Sequence, residues 1–363
     1  MNEIKTYLHS LNPILPQEVY DQSTLVDWVT SAHERSAFLQ GTECDKRRLK
    51  KFSLNKSYIS QRYMECPDAG TQWHDHQIYR ITAETPYGVD IKKRNDFFSQ
   101  CALKRLAQAY QDKKSPDHFI HVTCTGYIAP SAPQVFFANA RLAPDITHAY
   151  HMGCYASLPA IRLAKSLAKE GKTVDIFHNE ICSIHMDPSN HSPEHIVVET
   201  LFADGHISYQ VNNEEKGFRI LGVKEKIIPE TSLNMGWIPS SHGMRMTLTR
   251  DVPLKIQDNI LSFVMEMISE FNLDLAHIIK EGVFAIHPGG PRIIEVVKNK
   301  LEIREDQIKE SKKVLFERGN MSSATLPHIW HEIHQNQYPK GTYIVSLAFG
   351  PGLSVFGSIF EVS

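Results

Sequence analysis

The stretch Ser157-Leu158-Pro159-Ala160-Ile161-Arg162-Leu163-Ala164-Lys165-Ser166-Leu167-Ala168-Lys169, followed shortly by Lys172-Thr173-Val174-Asp175-Ile176-Phe177-His178, decides the fold. In the first part Leu158, Ile161, Leu167 and Ala168 recur at spacings near three and four, which gathers them on one face of a helix. The second part is a short apolar run, the pattern of a strand buried on both faces. Upstream, His118-Phe119-Ile120-His121-Val122-Thr123 reads as another strand. Strand, helix, strand in that order predicts a parallel sheet.

The second half repeats this grammar. Ile256, Ile260, Phe263, Val264 and Met267 mark one face of a helix, and Gly282-Val283-Phe284-Ala285-Ile286 is a short apolar strand with a turn and a further helix behind it. Thr342 to Phe349 and Val355 to Phe360 read as two buried strands joined by Gly350-Pro351-Gly352. Ahead of both halves lies a polar, basic opening. No internal sequence repeat is demonstrable.

Three motifs carry chemistry. Cys154, in Gly153-Cys154-Tyr155-Ala156, stands at the mouth of the first helix, where backbone N–H groups and the positive helix end favour a thiolate. Its pKa is expected to fall if His287 pairs with it. A buried structural cysteine is the plainer alternative. His287 leads Pro288-Gly289-Gly290-Pro291, a turn that ends a strand and lets another backbone approach closely. Asn320 follows Gly319 and precedes Met321-Ser322-Ser323-Ala324, so it sits at a helix start, where asparagine also serves as an N-cap. Nucleophile, base and amide donor are thus available in one chain.

Composition narrows the classes. With 363 residues the chain exceeds the usual size of one hydrophobic core. Its 39 Lys and Arg against 41 Asp and Glu leave no basic excess for a nucleic-acid surface. The start, Met1-Asn2-Glu3-Ile4-Lys5, lacks the apolar run of a signal peptide, and no stretch suits a membrane span, so a cytoplasmic protein is expected. Six cysteines are spread without a CxxC pair, so reduced thiols are expected, with neither a disulfide framework nor a zinc knuckle. His328, His331 and His334 have helical spacings but form no HExxH, and packed or solvated histidines are the expectation there. His74 and His76 carry no signal of their own.

In the order Cys, His, Asn, these motifs resemble the catalytic set of thiolase-type condensing enzymes, and their wording is closest to type III polyketide synthases, the chalcone synthase family. The resemblance extends to Ile59-Ser60-Gln61-Arg62-Tyr63-Met64, Ile161 to Lys165, Leu201-Phe202-Ala203-Asp204-Gly205, Arg250-Asp251-Val252-Pro253 and Phe349 to Leu353. It implies an α/β, thiolase-like five-layer αβαβα fold with two similar halves, 1–206 carrying the nucleophile and 207–363 carrying His and Asn. It implies a starter loaded from acyl-CoA onto Cys154 and extended by decarboxylative Claisen condensation with malonyl-CoA, with His287 and Asn320 holding the thioester oxygen. CoA thioesters are the substrates, and no metal or other cofactor is implied. A homodimer is expected, joined near the Ala149 to Met152 segment.

Carried over by motif, Phe202 matches a gatekeeping aromatic, with a core phenylalanine as the alternative. Gly350 and Pro351 would help shape the active-site wall. Lys56, with Arg62, falls in the basic region the family uses for CoA phosphates; a solvated face or a docking site for an acidic acyl carrier protein are other readings of that run. The chain departs from plant members at Cys182 and His185, where they carry threonines, at Met246 in place of a second gate phenylalanine, and in the Cys124-bearing loop at Ala129 in place of a methionine that reaches the partner subunit's cavity. These changes remodel the cavity, so a chalcone product does not follow. Flexible aliphatic starters and pyrone or resorcinol-type products are the expectation, with Ala129 adding room. A single-condensation β-ketoacyl-carrier synthase of the initiation type is the alternative enzyme. A non-enzymatic assembly subunit would be expected to have lost one of the three motifs.

Overall fold

Thirteen strands and eleven α-helices alternate along the computed structural model, which describes residues 4–111 and 114–363. Residues 1–3, part of the opening judged to lack an apolar leader, lie outside the described residues. The strands are β1 (Tyr7–Ile14), β2 (Glu18–Asp21), β3 (Gln61–Met64), β4 (His118–Thr123), β5 (Asp145–Tyr150), β6 (Val174–Glu180), β7 (Gly205–Asn212), β8 (Phe218–Ile227), β9 (Met235–Pro239), β10 (Met244–Leu248), β11 (Val283–Ile286), β12 (Tyr343–Gly350) and β13 (Ser354–Val362). Nine of them form one sheet in the order β11-β12-β13-β8-β1-β7-β6-β4-β5.

That order is a near palindrome about the contact between β8 and β1. Moving outward on one side, β8 meets β13 and β13 meets β12 antiparallel, then β12 meets β11 parallel. On the other side β1 meets β7 and β7 meets β6 antiparallel, then β6 meets β4 parallel, with β5 added parallel at the edge. The two halves share a topology that the sequence does not spell out as a repeat. The expected parallel pairing is realised among β4, β5 and β6 and between β11 and β12. The chain re-enters the sheet after the short Pro193–Leu201 helix running the opposite way, which makes the sheet mixed.

Period-two alternation divides each strand between two cores. Ile120, Val122, Val174 and Ile176 of one half and Ile344, Phe356 and Phe360 of the other face a shared core. The Ser157–Lys169 and Thr325–Gln335 helices fill that core with Leu158, Ile161, Ile329 and Trp330. The outer face of the second half is covered by the Val252–Glu270 helix through Ile256, Ile260, Phe263, Val264 and Met267, the face read from the spacing. Phe98, Leu106 and Phe137, from the Ile91–Ala109 and Ala132–Ala140 helices, cover the outer face of the first half. Five layers alternate α, β, α, β, α. Burying each large apolar side chain contributes roughly 1.5–3 kcal/mol.

The opening segment, read as merely polar and basic, contains β1, the strand that joins the halves: Leu8 pairs with Val211 on β7 and with Phe218 on β8. β7 spans position 206, and residues 213–217 join it to β8. Among the described residues no helix is long and apolar enough to cross a membrane.

Candidate active site

Cys154 stands in the turn between β5 and the Ser157–Lys169 helix. Gly153 before it has φ of +88°, and a Cβ there would lie 2.5 Å from Cδ of Pro351, so the Gly350-Pro351-Gly352 turn packs directly on the nucleophile's turn. Gly350 backs onto the Tyr155 ring. The Gly153 N–H donates to Sγ of Cys124 at 3.1 Å, and Sγ of Cys154 is 3.9 Å from Oγ of Ser322.

Asn320 reconciles its two readings. Its Oδ1 accepts from the Ser322 N–H at 2.8 Å and from the Thr325 hydroxyl at 3.3 Å, a cap-like arrangement. The backbone is held too: its N–H donates to the Leu201 carbonyl at 3.0 Å and its carbonyl accepts from Ala203 at 2.8 Å. With the oxygen tied back, the amide nitrogen remains as the donor end of a side chain that opposes the rise of the Cys154 thiol. Cap and donor are the same residue.

His287 ends β11, its N–H donating to the Leu347 carbonyl at 2.8 Å. The ring is buried, and neither nitrogen has a hydrogen-bond partner among the described residues. Burial pushes its pKa down to about 3, so the imidazole is neutral near pH 7, with one N–H to donate and one lone pair to accept a proton. Burial likewise pushes the Cys154 thiol up to about 12; the carboxyl of Glu180 adds to the rise, while Ser322 and Asn320 oppose it. The expected lowering through a bond to His287 is therefore absent here: desolvation outweighs what Ser322 and Asn320 contribute at Cys154, and it acts unopposed on His287. Neutral thiol and neutral imidazole are the resting forms.

Cys124, Cys182, Phe202, Met246 and Pro351 line a small apolar cavity with Cys154. Met246 on β10 pairs with Trp237 on β9, so this hairpin roofs the cavity. Phe202 forms an isolated bridge with Asn320, which ties the aromatic wall to the amide donor. His185 borders a neighbouring chamber, but its ring is fully engaged: Nε2 is 2.8 Å from the Thr125 carbonyl, and Nδ1 accepts from the Met244 N–H at 3.1 Å.

Ala129 lies exposed on its loop, outside both cavities of this chain. One placement differs from expectation. Arg62 is fully buried, donating to Oε1 of Gln22 at 2.8 Å and to the carbonyls of Glu199 and Phe202 at 2.7 Å each. It cannot meet a CoA phosphate at the surface. Lys56 is exposed and ion-paired with Asp21 at 2.7 Å.

Sequence reasoning passed over Trp237, whose Nε1 donates to the Cys124 carbonyl at 2.6 Å, and Glu180, which accepts from the Cys124 N–H at 2.9 Å and the Thr125 hydroxyl at 3.0 Å. Glu180 was visible beside Cys182 in the sequence; Trp237 had no motif around it. His328 is buried and bonded to the Ala324 carbonyl, and no metal-holding group of side chains occurs among the described residues.

Residues 2–213 match the family model for the N-terminal domain of chalcone and stilbene synthases, and residues 220–362 match that for the C-terminal domain. The chain belongs to the chalcone and stilbene synthase family. It is 26% identical to type III polyketide synthase C of Arabidopsis thaliana over 381 aligned positions, covering 98% of this chain and 95% of that protein. It is 30% identical over 277 positions to probable polyketide synthase 1 of Dictyostelium discoideum, covering 73% of this chain but 9% of that much longer relative. Among solved structures, the C-terminal type III polyketide synthase domain of a Dictyostelium type I/III hybrid superposes with a TM-score of 0.83 at 23% identity, covering 99% of each chain. PKS-I of the brown alga Ectocarpus siliculosus gives 0.86 at 21%, covering both chains fully. These likenesses establish the thiolase-like fold, and the relatives' names do not favour the carrier-dependent initiation synthase.

Proposed function

We propose that this chain is a type III polyketide synthase that loads an acyl starter on Cys154 and extends it with malonyl-CoA. The observation that carries the reading is a thiol lining one apolar cavity, with the Asn320 side chain, its oxygen already tied back, acting on that thiol. The buried ring of His287, without a hydrogen-bond partner among the described residues, adds a group able to take a proton and return it.

In loading, Cys154 passes its proton to His287, the sulfur attacks the starter carbonyl, and the CoA thiolate leaves with that proton. In extension, the malonyl thioester oxygen takes hydrogen bonds from the Asn320 amide and the His287 N–H. The carboxylate departs as carbon dioxide, the enolate carbon attacks the acyl group, and the Cys154 thiolate leaves. Phe202, Trp237 and Met246 keep water from the carbanion. The adaptable Met246 beside two rigid aromatics suits flexible aliphatic starters and pyrone or resorcinol-type products. Lys56 holds a CoA phosphate in this reading by exchanging Asp21 for it.

We expect a cytoplasmic homodimer, since β5 is the edge of the sheet and runs directly into the nucleophile's turn. Light scattering that gives a monomer at micromolar protein would reject that assembly. Intact-protein mass after treatment with a panel of acyl-CoAs should show one adduct, absent in Cys154→Ala. Malonyl-CoA should then yield products of several extensions. A single extension that requires a carrier protein would instead identify the initiation-type synthase.

A further inference from the structure

The cavity at Cys154 measures about 30 Å³, room for one water-sized group. An acyl thioester can reach the sulfur only if a wall moves. Much of the lining is anchored: Cys124, Cys154 and Cys182 follow strands of the nine-stranded sheet, and Phe202 is bridged to Asn320. The hairpin of β9 and β10 differs, because it forms a two-stranded sheet of its own. Alternation along its strands brings Met235, Trp237 and Met246 to the cavity and leaves Ile238 and Arg245 exposed.

The two ends of this hairpin are held differently. At the base, Nδ2 of Asn234 donates to Oγ1 of Thr249 at 2.9 Å and to both carboxylate oxygens of Asp251 at 3.0 Å, which keeps the strands together where they join the second half. The tip is fastened to the first half. There the His242 ring stacks on Tyr87, with centroids 3.9 Å and planes 16° apart, and its Nε2 lies 3.2 Å from Oδ2 of Asp187. Asp187 is itself fixed: Oδ1 accepts from the Ser189 hydroxyl at 2.5 Å, and the N–H donates to Oε1 of Glu199 at 2.7 Å. Beside this clamp the Ile91 N–H donates to the Ser241 carbonyl at 2.9 Å, and the Met244 N–H to Nδ1 of His185 at 3.1 Å. A swing about the base would part these tip contacts together. Neither Tyr87, Asp187 nor His242 lines the cavity, so their grip on the hairpin is not explained by contact with a substrate there.

We propose that the β9–β10 hairpin is a lid over Cys154 and that His242, clamped between Tyr87 and Asp187, is its latch. Released at the tip, the hairpin swings about Asn234 and opens the cavity to a thioester. Latched, it returns Trp237 and Met246 over the sulfur and keeps water from the reacting atoms. His242 and Tyr87 are thus positioning residues that act through Trp237 and Met246. The passage of a thioester rests on the function proposed above, whereas the hinged motion belongs to the fold and is tested without it.

The test labels the full chain with a bulky maleimide and reads each cysteine by peptide mass. His242→Ala removes both the stack and the ion pair, and should raise labelling of Cys154 about tenfold, together with that of Cys124 and Cys182, which share the cavity. Cys66, buried in the outer core of the first half, should stay as protected as in the wild type. His242→Arg, whose planar cation can stack on Tyr87 and bond to Asp187, should restore protection of Cys154. Hydrogen exchange should quicken at the amides of Ile91 and Met244 in His242→Ala, while the β9–β10 ladder keeps its protection because the lid moves as one piece. Tyr87→Leu removes the stack from the other side and takes the place of His242→Ala if that variant does not fold. Unchanged labelling of Cys154 in both variants overturns the proposal. So does Cys66 labelling that rises in step, a ladder that loses protection, or a His242→Arg variant as open as His242→Ala. A lid that behaves as described on a chain that never acquires an acyl group from acyl-CoA refutes instead the function proposed above.

Discussion

Replacing Asn320 in two different ways separates its catalytic bond from its structural one. In the structure the side chain works at both ends: Oδ1 holds the Ser322 N–H at 2.8 Å, and the amide nitrogen is left free to act on Cys154, whose rise in pKa the side chain opposes. Asn320→Ala removes both. Asn320→Ser leaves an oxygen that can still accept from the Ser322 N–H but is too short to reach the thiol. Losing one oxyanion donor costs about 2.7–4 kcal/mol of transition-state stabilisation, a factor of about 10²–10³. Losing a cap costs about 0.5–2 kcal/mol of folding stability, whereas Ser and Asn differ little as caps. Both variants should therefore lose malonyl-CoA decarboxylation, followed as carbon dioxide release, by about 10²–10³-fold. Only Asn320→Ala should lose stability in denaturant titration. Acyl loading on Cys154, followed by intact mass, should suffer less than decarboxylation in both. The reasoning is refuted if Asn320→Ser decarboxylates near the wild-type rate, or if loading and decarboxylation fall equally in a folded variant.

Other consequences follow from neighbouring geometry. Burial pushes the Glu65 carboxyl up, but His206, with its Nε2 at 2.9 Å, and Arg105, with its Nη2 at 2.8 Å, outweigh it and hold the carboxyl down at about 2 against an ordinary 4.5. A depressed carboxyl stabilises the fold above the unfolded value and loses that contribution as pH falls from about 4.5 through 2. Glu65→Gln should cost about 3–5 kcal/mol at neutral pH and flatten the acid limb of stability; an unchanged limb in denaturation from pH 6 to 3 would contradict this. Gly153→Ala puts a Cβ 2.5 Å from Pro351 at a φ of +88°, so strain of order 1–3 kcal/mol and slower acylation of Cys154 are expected, and normal loading with normal stability would count against the packed turn. Met246→Trp should crowd the hairpin roof against Trp237 and shift starter preference to shorter chains; an unaltered chain-length profile removes Met246 from the gate.

Local order was legible in the sequence because it is written in spacing: the apolar face of the Val252–Glu270 helix, the strand ending at Ile286, the terminal hairpin, and the turns that present Cys154, His287 and Asn320 all depend on residues close in the chain. The tertiary structure alone decided what depends on distant partners. β1 is central because Leu8 finds Val211 and Phe218, more than two hundred residues away, and nothing in its own composition marks it as the joint. Arg62 looks like one more cation in a basic run, yet the carbonyls of Glu199 and Phe202 draw it into the interior. Motif and order identified the thiol and the imidazole, but their protonation is set by desolvation, and desolvation is a property of the packed cavity. A pKa near 12 for Cys154 and near 3 for His287 follows from which atoms surround them after folding, and sequence spacing carries no measure of that.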